Sequence, residues 1–193
     1  MSSFATQSLD LSGVAIATAS SGKGAAAVPG LALIFANIDI APCRHTPIYI
    51  DLHHAQKNDG IPFTLSSILL SALHKSLQKI LSPTHWNQLN IFSEIIYHRL
   101  SSLGLIPFAT PQSRVFTIVP AGPDASSITH QLSHVGIQLS YQSQYLLERN
   151  WLQLAVFGNY TLAEIHQALD SLVEILANSN FFVPRSFKTN TAH

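Results

Sequence analysis

Charge is scarce in this sequence. Ten Lys and Arg balance ten Asp and Glu, so only 10% of the 193 residues are charged and the net charge is zero with histidine neutral. No basic field exists to hold nucleic acid or an acidic membrane surface, and neither is expected as a partner. Cysteine is nearly absent. Cys43 stands alone, which excludes an intrachain disulfide framework or a cysteine-built zinc site and points to the cytoplasm. Long apolar runs are missing as well. The longest mostly apolar stretch, residues 25–36, contains Pro29 and Gly30 and is far shorter than the roughly 20 residues a bilayer needs. The opening MSSFATQSLD has no basic or apolar signal region, so no secretory leader is read.

What is present is 47% hydrophobic, which excludes disorder. The length suffices for one respectable core, or one large and one small. So little charge leaves apolar surface uncovered and points to subunit or domain contacts.

Two short apolar segments, residues 14–19 and 31–36, read as buried strands. Between them lies SSGKGAAAVPG, a loop of small residues carrying Lys23. Residues 37–63 read as irregular, with a short strand candidate at 48–50. Thr64 is placed to cap a helix running to about Leu81, and Ser82-Pro83 restarts the chain into a second helix that ends at Gly104. The last third alternates: strand at 114–119, helix from a cap at Asp124 to about Gly136, strands at 137–139 and 151–157. A capping box, Thr161-x-x-Glu164, then opens a final helix. That order suggests a small two-layer α/β domain on a largely antiparallel sheet.

Lys23 is the sharpest candidate for chemistry. Held between apolar strands it would be desolvated, which favours a neutral amine suited to Schiff-base formation, with Gly22 and Gly24 admitting a bulky ligand. The alternative is a solvated loop lysine. A phosphate-loop reading fails, because Ala17 and Gly24 stand where a Walker motif needs glycine and Ser or Thr. His130 and His134 have a spacing that suits zinc, but Gln131 replaces the glutamate of a zincin and no third ligand is near, so no metal is expected.

Ser21-Gly22-Lys23-Gly24 followed by Val28-Pro29-Gly30-Leu31 resembles the lysine segment of the class V aminotransferases, fold-type I pyridoxal-phosphate enzymes. Tyr49-x-Asp51-Leu52 and Ile61-Pro62-Phe63-Thr64 resemble the family's subunit-interface segment. Residues 145–154, closed by Gly158, are similar to its last substrate-side strand. The resemblance covers about residues 9–177, in order. It implies that Lys23 forms the Schiff base with pyridoxal 5'-phosphate and moves the proton in amino-group transfer. It also implies that Thr64 reaches the cofactor phosphate across a dimer. Where many relatives carry an arginine for the substrate carboxylate, this chain has Gln153, with Arg149 as a nearby substitute.

Only about twenty residues precede Lys23, whereas the family carries its phosphate-binding turn, stacking ring and pyridine-binding aspartate ahead of that lysine. The resemblance therefore implies a C-terminal half, truncated or split. The expected fold is α/β: residues 1–40 a remnant of the large cofactor domain, 41–105 an interface loop and two helices, and 106–193 a small C-terminal domain. Expected partners are a second copy or a complementing N-terminal half, with a small-molecule amino donor and acceptor. A non-catalytic remnant that serves as a dimerising or binding module is the other reading.

Overall fold

The structure, a computed structural model, describes residues 4–119, 125–158 and 160–178. The chain is mixed α/β and forms two compact units, Met1–Trp86 and Asn87–His193.

In the first unit β1 (Ile16–Ser20) pairs antiparallel with β2 (Ala32–Ala36), Ile16 opposite Ala36 and Ser20 opposite Ala32. Bonds from Ser21 N–H to Leu31 O (3.0 Å) and from Asn37 N–H to Ala15 O (2.9 Å) frame the ladder. Antiparallel alternation then turns the amides of Leu33 and Phe35 toward β1 and those of Ala32, Ile34 and Ala36 away from it. The expectation of buried strands is corrected here. Ala19 alone is buried in β1 and no residue of β2 is, because a two-stranded sheet has nothing over its second face.

Residues 48–50 form a 3-10 turn instead of a strand, closed by Ile50 N–H on Pro47 O (3.0 Å). The segment expected to be irregular contains a short helix, α1 (Leu52–Lys57), nucleated by the Asp51 carboxylate, which accepts from the amides of His53 (2.9 Å) and His54 (3.3 Å). α2 (Ser67–Ile80) starts later than a cap at Thr64 would place it. Ser66 is the last extended residue and holds the N-cap position. Leu73 and Ile80 of α2 join Ala5, Ala25 and Leu31 in the unit's core.

α3 (Pro83–Ser101) begins on its proline, as expected, and Gly104 at φ 72° terminates it. Gly104 N–H meets Ser101 O (2.9 Å) and Leu105 N–H meets Leu100 O (3.2 Å), a Schellman closure. In the second unit β3 (Val115–Ile118) pairs antiparallel with β4 (Leu152–Ala155), Val115 opposite Ala155. Between them run α4 (Ala125–His134) and α5 (Gln144–Leu147), and α6 (Leu162–Asn178) follows. The strand expected at 137–139 is absent. Only Ser140 bridges to Gln153, and the Ile137 N–H is taken by Leu132 O (2.9 Å) at the close of α4. The expected cap Asp124 lies outside the described residues, and there Asn150 Oδ1 accepts from Ala125 N–H (2.7 Å). The capping box is as the sequence predicts. Thr161 N–H and Oγ1 both donate to Glu164 Oε2 (2.7 and 2.8 Å), and Glu164 N–H returns a bond to Thr161 Oγ1 (3.2 Å).

α4 contacts α6. Phe116 and Ile118 of β3, Leu132 of α4, Leu152 of β4 and Leu172 of α6 are buried. No helix among the described residues is long and apolar enough to cross a membrane.

Candidate functional site

The loop between β1 and β2 is built around Ser21, whose side chain is fully enclosed. Its hydroxyl donates to Val28 O (2.8 Å) and accepts from Leu31 N–H (3.2 Å), while its carbonyl accepts from Ala27 N–H (2.9 Å). Ala26 sits at φ 50° and donates its N–H to Lys23 O (2.7 Å), closing a tight turn. From α2, the Ser76 hydroxyl donates to Ala25 O. Gly22 has no room for a side chain: a Cβ there would lie 2.7 Å from Pro29 Cγ and 3.0 Å from its Cα. Gly22 therefore serves the packing of its own loop, where the sequence suggested ligand access.

Lys23 projects from this pinned loop and is exposed, so the expected desolvation is not found in this chain. Its amine meets no carboxylate or carbonyl among the described residues. The backbone fixes where the lysine starts and solvent surrounds where it ends, which leaves an accessible nucleophile. Thr64 is also exposed, on the extended approach to α2, and no hydrogen bond joins it to Lys23.

In the second unit the Gln153 backbone binds Ser140 (N–H to O, 2.8 Å; O from N–H, 2.9 Å), and its side-chain amide donates to Thr117 Oγ1 (3.3 Å) across the sheet. Arg149 lies over the Tyr145 ring at 4.1 Å from its centroid, donates to Tyr145 O (3.2 Å) and pairs at 3.9 Å with Glu148. Trp151 stands edge-on to Tyr145, with ring centroids 6.0 Å apart. No hydrogen bond brings Arg149 and Gln153 together.

Arg114 escaped sequence reasoning. It is buried beside β3, donates to Ser93 Oγ (2.6 Å), Leu89 O (3.2 Å) and Asn90 Oδ1, and burial pushes its pKa down from the usual guanidinium value. The signal was available: strand alternation puts residue 114 on the face of Phe116 and Ile118. His130 and His134 meet edge-on with ring centroids 4.6 Å apart, and among the described residues no group of three or more His, Cys, Asp or Glu is arranged to hold a metal.

No known family model matches the sequence, and no curated protein matches it. Among solved structures the chain is similar to ureidoglycine-glyoxylate aminotransferase from Bacillus subtilis, with a TM-score of 0.75 and 16% identity over 94% of this chain and 52% of that one. It is similar to an aspartate aminotransferase of subgroup IV from Thermus thermophilus, with a TM-score of 0.71 and 21% identity over 92% of this chain and 54% of that one. The fold is that of about half a fold-type I aminotransferase chain. A serine palmitoyltransferase from Sphingomonas wittichii is similar too, at a TM-score of 0.64 and 12% identity over 89% of this chain and 42% of that one. The chain thus spans about half the length of the structures it matches.

The residues of this fold-type I segment fit one part of a pyridoxal-phosphate site and not the whole. An open amine on a rigid loop suits attachment of an aldehyde. Enclosure is another matter, since Lys23 is exposed.

Proposed function

We propose that this chain carries the lysine-bearing, C-terminal part of a class V aminotransferase-like, pyridoxal-phosphate-dependent protein, acting with a second copy of itself or with a complementing N-terminal half. The observation that carries the reading is the conjunction of the fold match with the pinned loop that presents Lys23 between two strands. When bound, the cofactor supplies an electron sink for a carbanion at the substrate α-carbon. Lys23 Nζ would hold the cofactor at its aldehyde and, when not so engaged, would move the proton at that carbon. The Ser21 network fixes the origin of the side chain, so that reach and not backbone motion sets the position of Nζ. Thr64 would offer a hydroxyl to the phosphate from a neighbouring subunit. Gln153, a neutral hydrogen-bonding group, and Arg149, a cation, would serve the carboxylate of an amino donor and acceptor. The lone, exposed Cys43 suits a reducing cytoplasm.

A non-catalytic binding or dimerising module is the second reading, favoured by the exposure of Lys23. Mixing the chain with pyridoxal phosphate, trapping with borohydride and mapping the modified lysines separates the two. Weak labelling biased to Lys23, lost in Lys23→Ala with the far-ultraviolet spectrum unchanged, supports the enzyme half. Equal labelling of Lys23, Lys57, Lys75, Lys79 and Lys188 supports the module. No transamination is expected from this chain alone.

A further inference from the structure

The first unit holds a cavity of about 680 Å³ that the lysine site does not use. Three stretches of chain build it: the segment from Phe4 to Leu11, Phe35 of β2, and the end of α2 on to Trp86. Phe4, Phe35 and Trp86 bring rings to it, and Phe4 and Phe35 already touch, with centroids 5.3 Å apart. Among the described residues no lining side chain carries a charge. Asp10 comes nearest in sequence, but its carboxylate is turned to the Ser12 amide (2.8 Å). Gln7 and Ser8, both exposed, and the Trp86 indole N–H supply the side-chain polar groups. The size lies within the range of small-molecule pockets, and so does the pattern of apolar walls with a few polar groups.

We infer that this cavity binds an uncharged, ring-bearing small molecule. The lining decides the class. A carboxylate, phosphate or ammonium would lose its hydration against walls that hold no counter-charge, so charged ligands are rejected. A peptide segment would bring a row of amides to walls that are mostly apolar and would leave most of them unpaired, so a chain insertion is rejected on the same ground. A flat apolar ring asks for neither and can stack or meet edge-on with the three rings. Leu11 and Leu81 also line the cavity, and Leu81 is 82% exposed, so the latter can be altered with little cost to the fold.

The test uses the full chain and the neutral probe N-phenyl-1-naphthylamine. The protein has two tryptophans, and Trp151→Phe leaves Trp86 as the sole emitter. Saturable probe binding at one site per chain, with quenching of Trp86, is expected. The anionic 1-anilinonaphthalene-8-sulfonate should bind at least about tenfold more weakly. Leu81→Glu and Leu11→Glu should each weaken the neutral probe by about tenfold with circular dichroism unchanged, while Leu147→Glu, in the other unit, should leave it alone. Non-saturable binding, equal binding of the two probes, or equal losses in all three variants would overturn the inference. So would self-association of the chain that Leu81→Glu abolishes, because a second copy would then be the occupant.

Discussion

Gly22 and Ser21 show how neighbours fix the backbone from which the exposed Lys23 projects. A methyl group on residue 22 would strike Pro29, including its backbone Cα, and that side of the loop cannot yield without losing the Ser21 bonds. Gly22→Ala should therefore cost about 1–3 kcal/mol, read as a lowered Tm, and should also blunt the preference of pyridoxal phosphate for Lys23. A lowered Tm with labelling unchanged would show that the loop does not position the amine. Arg114 is the corresponding case in the second unit. Arg114→Met keeps much of the stem but strands the buried Ser93 hydroxyl, and a loss of about 2 kcal/mol in urea unfolding is expected.

The capping box of α6 is the clearest test at the scale of an element. Thr161→Ala should cost about 1 kcal/mol, checked by thermal unfolding at pH 7. Glu164 adds a pH signature. Bonds from the Thr161 amide and hydroxyl hold its carboxyl below the ordinary value of 4.5. A carboxylate depressed in the fold stabilises fully above that ordinary value, and the contribution fades as pH falls through the lower folded value. Glu164→Gln should thus lower Tm at pH 7 and differ little from the parent in strong acid; a loss independent of pH would rule the ionised cap out. This element was legible because both halves of the box lie within four residues. The same holds for the proline start of α3 and for its glycine stop. α1 was missed because six residues carry no apolar periodicity to betray it, and its only sign was Asp51 ahead of two histidines. The Lys23 loop was legible as a loop between two strands. Its exposure was not legible, since a neighbour's cover over a strand is set by parts of the structure far away in sequence. Thr64 fared alike: a plausible cap was displaced by Ser66, two residues on.

For the molecule as a whole, charge balance is the governing quantity. Ten Lys and Arg are cancelled by ten Asp and Glu, so the chain has no net charge with histidine neutral. Little repulsion then keeps copies apart, and apolar side chains such as Ile16, Ile34 and Val28 are exposed. Solubility at pH 7 should rise severalfold in Ile34→Lys, measured as the protein left in the supernatant after concentration; an unchanged value would assign association to contacts that charge does not oppose. The outward amides of Ala32, Ile34 and Ala36 add a directional component, an uncharged strand edge without lysine or proline to blunt it. For a cell this is a matter of crowding and timing. Copies that meet edge to edge before this strand finds cover would be held by chaperones, degraded or lost to aggregates.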